Sequence, residues 1–441
     1  MQKTSRKRSR VAKKGSKLVH ANEHSVSELY LHGVAGIIGL GILVIPVFIA
    51  LFYGGLLSIY FIIGAGFIAL LIAALIYDIS LTHSHDPYKF LKETLGREYS
   101  FIFGFLLLVS FIITITAAGI ASVGELSVFF GLDVYVSIAI VDIVFFFMWV
   151  LIFYNHTKRT ITFAGALKIF FVILLMMIGA LSIVFHGANP LNNQAPFASL
   201  TGIVPLSLAL LVLLWMYGGF EGIAIVYRGK DRSKVARALL YAIFTMIVIF
   251  SIIQFLIYEV GGSLSSIYIQ LDLTTVFTTN VLSLSFGGLL QDVMVGLSII
   301  VILTMAFTLI NSSSHTLDDM AKDGLMPKFL VGNQNMKLLV TAAVPIVLIT
   351  IFSNIVTIVP GTLFVYVPII ILSALSFAAA FAFFAIGYGL HYARSKTPAR
   401  AVFGFFVGLL LIALIMLSPI AFLVGLAIVV VISIIGYLIL R

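Results

Sequence analysis

Residues 33–46, GVAGIIGLGILVIP, and residues 215–232, WMYGGFEGIAIVYRGKDR, decide how this chain is read. Each sets glycines inside an otherwise apolar run: Gly36, Gly39 and Gly41 in the first, Gly218, Gly219 and Gly222 around Glu221 in the second. Glycine disfavours helix by about 1 kcal/mol relative to alanine, so a close group of them weakens one turn selectively. Small residues also let helices pack closely in lipid. That plainer explanation does not cover a carboxylate near the middle of a span, which costs about 2.5–3.5 kcal/mol on insertion scales unless it faces a cavity or a partner.

The sequence around both stretches establishes that they are spans. Of 441 residues, 61% are hydrophobic and 10% charged, more apolar surface than a soluble domain of this size can hide. The apolar residues come in blocks of about 20 or more, the length an α-helix needs to cross the hydrocarbon layer. The blocks are continuous rather than alternating, and backbone in lipid must be satisfied within a helix or a closed barrel, so helices are expected. Spans are read at 30–52, 54–78, 99–123, 134–154, 161–186, 203–227, 234–260, 288–317, 338–358, 362–391, 399–417 and 419–440. The chain has no cysteine, which excludes disulfides and thiolate metal sites.

Charge sets the orientation. Residues 1–18, MQKTSRKRSRVAKKGSKL, hold eight of the 26 Lys and Arg and no acid. This tail reads as cytoplasmic and able to touch anionic lipid, rather than as a nucleic-acid arm. No short apolar segment with a small-residue cleavage site separates it from the first span, so a signal peptide is not expected. Lys89, Lys92, Arg97, Lys158, Arg159, Arg228, Lys230, Arg232, Lys322, Lys328, Lys337, Arg394, Lys396 and Arg400 all fall in loops on the side of the tail. The opposite loops hold no Lys or Arg, though they carry Glu125, Asp133, Glu259 and Asp272. Cationic residues staying inside is the positive-inside rule, and it puts both termini in the cytoplasm.

The two interruptions lie about 180 residues and five spans apart, so their helices run in opposite directions; such a pair points to an inverted-repeat transporter. The expected organisation is a basic tail (1–29), a first repeat (30–186), a second repeat (203–391) and two further helices (399–441). Half-helix N-termini offer N–H groups suited to a carboxylate, and freed carbonyls suit an ammonium or a cation. The expected substrate site is therefore Gly36, Ile37, Gly39, Leu40 and Gly41 facing Tyr217, Gly218, Gly219 and Phe220.

These residues resemble the amino acid–polyamine–organocation transporter family, which has the leucine-transporter fold. GIIGLGILVIP is similar to that family's first-helix pattern, and WMYGGFEG to its sixth-helix element of an aromatic, a glycine turn and Glu. SHTLDDMAKDGLMPKFL at 314–330 is similar to its pattern after the eighth helix, with MAKDGLMP the most specific part. The resemblance spans about residues 30–440. Departures are Leu40 for a small hydroxyl residue, Leu43 for Phe, His315 for Arg, HSHDPYKF at 83–90 for a glycine-bearing region, and a loop after the sixth span without its usual acidic and proline positions.

Lys168, in FAGALKIFFVILLM, is the only Lys or Arg well inside a span. It lies about 13 Å along the helix from Arg159, so it either snorkels to the interface or serves function. The resemblance implies the second: many proton-coupled members carry a lysine here, near where sodium-dependent relatives hold an ion. It would then meet carbonyls near Gly36 and the hydroxyls of Ser312 or Ser313. Glu221 and Trp215 are expected to gate or couple. Asn311 and Ser314 are possible oxygen ligands that equally serve as helix glue. Asp142 reads as structural, and His83, His85 and Asp86 as a solvated loop rather than a metal site.

The function expected is a secondary transporter of amino acids or related amines in the cell membrane, coupled to protons by symport or exchange, with no cofactor. Sodium coupling is the alternative, and a non-transporting sensor a more distant one. No H-E-x-x-H or G-x-S-x-G motif supports an enzyme. The topology makes a direct prediction: an Asn193→Cys variant of this cysteine-free chain is labelled by an impermeant thiol reagent from outside the cell. Labelling only from the cytoplasmic side would overturn the orientation.

Overall fold

The computed structural model of the chain describes residues 25–53, 56–83, 86–153, 157–188, 206–227, 232–260, 287–327, 330–331, 334–358 and 363–440. The basic tail, the segments 189–205 and 261–286, and most of the loop after the sixth span lie outside the described residues, together with what was expected of them.

Every regular element among the described residues is a helix. The first half runs α1 (Val26–Ile37), α2 (Leu40–Tyr53), α3 (Leu57–Thr82), α4 (Pro87–Leu95), α5 (Arg97–Phe130), α6 (Val134–Phe153) and α7 (Thr157–His186). There follow α8 (Leu206–Met216), α9 (Glu221–Val226), α10 (Arg232–Val260), α11 (Gly287–Lys322) and α12 (Gln334–Ile358). The chain ends in α13 (Leu363–Arg394), α14 (Pro398–Met416) and α15 (Ile420–Leu440).

Eight of these are long and apolar enough to cross a membrane, and α1 with α2 qualifies as one span bent by 51°. Three shorter apolar helices, Leu206–Met216, Leu339–Ile355 and Ile420–Ile435, fall at the remaining expected positions. The twelve apolar segments therefore lie where the hydropathy placed them.

The ends differ for local reasons. α1 begins at Val26, earlier than expected, because Ser25 and Glu28 form a capping box: Ser25 Oγ accepts from Glu28 N at 3.1 Å and the Glu28 carboxylate from Ser25 N at 3.3 Å. The solvated loop expected at His83, His85 and Asp86 is corrected at Asp86, while His85 lies outside the described residues. Asp86 is buried as the N-cap of α4, accepting from Lys89 N at 3.0 Å, with Pro87 in the first turn. His83 packs edge-on against Phe90 and His391, with centroids 5.2 and 5.1 Å away.

The MAKDGLMP stretch has a mechanical role. α11 ends at Lys322, and Gly324 turns the chain at φ +74° while its N–H bonds back to Ala321 O at 3.0 Å. Asp323 accepts from Tyr88 Oη at 2.9 Å and pairs with Lys92. Its polar residues thus fasten α4 to the end of α11, while Lys337 pairs with Asp318 to join the start of α12 to the same end.

At the centre, the turn between α8 and α9 lies against the end of α1. Gly219 has φ +104°, and a Cβ there would sit 2.5 Å from the carbonyl carbon and oxygen of Gly36. A Cβ on Gly36 would meet Gly219 O at the same distance. Around this crossing α10 lies along α3 and α1, α11 along α5, and α13 against α5 and α14.

Gly219→Ala combines a left-handed backbone, worth about 1–3 kcal/mol, with a steric overlap. It should lower the melting temperature of the detergent-purified protein clearly. Gly124→Ala, where a Cβ meets nothing within 4 Å, should not. Equal melting temperatures would show that the crossing tolerates a methyl group.

Candidate functional site at the crossing of the broken helices

Both breaks follow from hydrogen bonds that the helix gives up. α1 closes with Ile38 N donating to Val34 O at 2.9 Å, and α2 restarts at Leu40. The last carbonyls of α1 and the first N–H groups of α2 therefore lose their helical partners. One carbonyl is taken up at once: Lys168 Nζ, fully buried on α7, donates to Ala35 O at 2.5 Å. The second break tightens to three-residue spacing, with Tyr217 N to Leu214 O at 3.1 Å, Gly218 N to Trp215 O at 2.8 Å and Gly222 N to Gly219 O at 3.2 Å. Gly219 N–H meets both oxygens of the Glu221 carboxylate, at 3.1 and 2.9 Å. That N–H, expected to be open to a substrate, is satisfied by the chain itself.

A cavity lies between the breaks. About 350 Å³ of atom-free space lies among its lining residues. Gly36, Ile37 and Gly41 come from the first break, and Trp215, Met216, Gly218, Gly219 and Glu221 from the second. Ser110, Phe111 and Thr114 of α5, Met305 and Leu309 of α11 and Phe377 of α13 complete it. Glu221 is the one charged residue of this lining, and it is fully buried.

Seven of the fourteen residues expected at the site thus line the cavity: Gly36, Ile37, Gly41, Gly218, Gly219, Trp215 and Glu221. Gly39 and Leu40 stand beside it, with Met305 packed where a side chain on Gly39 would go. Tyr217 donates from its hydroxyl to Ile62 O at 3.0 Å. Phe220 stacks on Phe381 with centroids 6.3 Å apart, buried rather than facing lipid. Lys168 does not snorkel; it is held in the core. Ser313 Oγ donates to Leu309 O at 2.6 Å, whereas Ser312 Oγ is buried without a hydrogen-bond partner and lies against Gly222, 2.8 Å from where a Cβ would stand. Asp142 keeps its structural contact, accepting from Thr350 Oγ1 at 3.2 Å.

Sequence reasoning did not select Ser110, Thr114 and Ser373. Trp215 Nε1 donates to Thr114 Oγ1 at 3.0 Å, Thr114 Oγ1 lies 2.8 Å from Ser373 Oγ, and Ser110 Oγ lies 3.1 Å from Ser373 O. The only signal was a pair of hydroxyls four residues apart on an apolar helix. Many membrane helices carry such pairs as glue. Among the described residues no group of three or more His, Cys, Asp or Glu could hold a metal ion.

A family model described as amino acid permease matches residues 26–439, nearly the whole chain. The chain belongs to the amino acid permease family. It is accordingly a transporter rather than an enzyme, a multi-pass membrane protein that moves a small molecule. No curated protein matches it by sequence. Among solved structures it is similar to the manganese transporter of Eremococcus coleocola in complex with an aromatic bis-isothiourea substituted compound, at 15% identity, covering 94% of this chain and 92% of that one, with TM-score 0.63. Two single-site mutants of that protein match at the same identity and coverage, each with TM-score 0.61. The transporter has the leucine-transporter fold, as the family resemblance implied.

In this transporter the Glu221 carboxylate satisfies Gly219 N–H and faces the cavity at once, so the two roles separate by substitution. Glu221→Gln keeps an acceptor oxygen and should melt close to the parent, while uptake falls at least tenfold. Glu221→Ala leaves a buried N–H unpaired, a loss of about 1–3 kcal/mol, and should melt lower. A glutamine variant that transports normally across the pH range would remove Glu221 from the mechanism.

Proposed function

We propose that this chain moves amino acids or related amines across the cytoplasmic membrane by alternating access, driven by protons through Lys168. Both termini face the cytoplasm, and the basic tail lies against anionic lipid. Residues 30–186 and 203–391 form the two inverted repeats, and 399–441 the two added helices. The substrate carboxylate meets the first N–H groups of α2, around Leu40 and Gly41, and the ammonium meets the freed carbonyls of Gly36 and Ile37.

The observation that carries the coupling is the Lys168 Nζ to Ala35 O bond in a fully buried setting. A protonated amine there is a charge-assisted donor at the C-terminal, negative end of α1. A neutral amine holds that end less tightly, which frees α1 to swing and opens the cavity toward the cytoplasm. In this reading the lysine charge does what a bound sodium ion would do, joining α1 to its neighbours. Manganese is carried by the structural neighbour. In this chain the cavity walls offer one carboxylate and no imidazole, a donor set that suits an organic zwitterion better than a transition metal.

Proteoliposomes loaded with pH and sodium gradients separately, and supplied with labelled amino acids and amines, test the reading. The parent should concentrate substrate on a proton gradient alone. Lys168→Ala should lose accumulation by at least tenfold while still binding substrate, read as a change in the fluorescence of Trp215. Accumulation by Lys168→Ala on a proton gradient, or a strict need for sodium in the parent, would overturn the assignment.

A further inference from the structure

The part of the cavity away from the two breaks is uniform in chemistry. Ser110 and Thr114 are its polar groups, and Phe111, Met305, Leu309 and Phe377 its apolar ones, with Trp215 of the second break beside them. With the substrate's own carboxylate and ammonium assigned to the breaks, this wall is what the side chain of the substrate meets. No lysine, arginine or second carboxylate is among the lining residues, and a charged side chain placed here would be buried without a counter-ion, a large cost.

The hydroxyls form a closed set. Thr114 Oγ1 accepts from Trp215 Nε1 at 3.0 Å and lies 2.8 Å from Ser373 Oγ, while Ser110 and Ser373 bond reciprocally to each other's carbonyls at 3.1 and 3.0 Å. Trp215 is held across the cavity by the threonine, and its ring is buried. The pinned indole narrows this wall, which suits a small side chain. A larger one requires Trp215 to leave Thr114. Hydroxyls can also rotate to donate or accept, so a substrate hydroxyl is matched as well as a methyl group.

We infer that the transported class is small neutral α-amino acids, with side chains from hydrogen to hydroxymethyl or hydroxyethyl, and that Thr114 sets the size limit by pinning Trp215. This rests on the amino-acid reading above. Thr114 is a positioning residue acting through the indole.

The test is competition against labelled alanine uptake in proteoliposomes, with ligand-induced thermal shifts in detergent as the second readout. Glycine, serine and threonine should compete with the parent, while leucine, phenylalanine, arginine, lysine and glutamate should be at least tenfold weaker. Thr114→Val keeps the shape but removes the hydroxyl. It should raise KM for serine and admit leucine, shifting the leucine-to-serine ratio by about tenfold or more. Thr114→Ser restores the hydroxyl and should restore the parent ratio, which a purely structural role would not require. Arginine, lysine or glutamate taken up as well as alanine would overturn this inference while leaving amino-acid transport intact. A Thr114→Val variant with unchanged selectivity would remove Thr114 as the size limit. A folded protein that neither transports nor is stabilised by any amino acid would overturn the underlying reading as well.

Discussion

The backbone contact between Gly36 and Gly219 is the constraint on which the centre of this molecule depends. Two helices of opposite direction are interrupted, and the interruptions meet so closely that neither position has room for a Cβ. That closeness lets one break face the other across a cavity a few atoms wide. It also explains why glycine is required at the crossing for reasons beyond weak helix propensity. At Gly219 the backbone conformation itself favours glycine.

Breaking a helix in a membrane exposes polar backbone that lipid cannot satisfy. The chain answers with its own charged side chains at each break. Lys168 donates to a carbonyl at the end of α1, and Glu221 accepts from an N–H at the second turn. One supplies a donor and the other an acceptor, as the backbone at each break calls for. Both residues are buried, and each is spent on a backbone group that a helix would have satisfied.

The end that carries α4 is organised differently. There α4 is a short helix fastened by Tyr88 and Lys92 to Asp323 at the end of α11, and α12 is fastened to the same end through Lys337 and Asp318. Lys337 and Asp323 are buried in these pairs, so they are not loose surface contacts. Their effect is to set the direction in which α4 and α11 leave the bundle.

The helical class, the spans and the two interruptions follow from local residue patterns, because lipid imposes a length on each apolar block and glycine weakens helix wherever it clusters. The sequence also marked Lys168 and Glu221, since a charge inside an apolar run is costly enough to stand out without any knowledge of its partner. The helix α4 was legible in principle from Asp86 followed by Pro87, but two histidines nearby drew the reading toward a loop. Which residues wall the cavity depends on how distant helices come together. Ser110 and Ser373 are 263 residues apart in the chain, and no local rule links a hydroxyl on one helix to a hydroxyl on another. Nor could spacing reveal that Glu221 closes on Gly219 N–H, that Lys168 selects Ala35 among several freed carbonyls, or that Trp215 is held by Thr114. Such choices depend on distances between helices, and those are set by how all the side chains pack together rather than by any one segment.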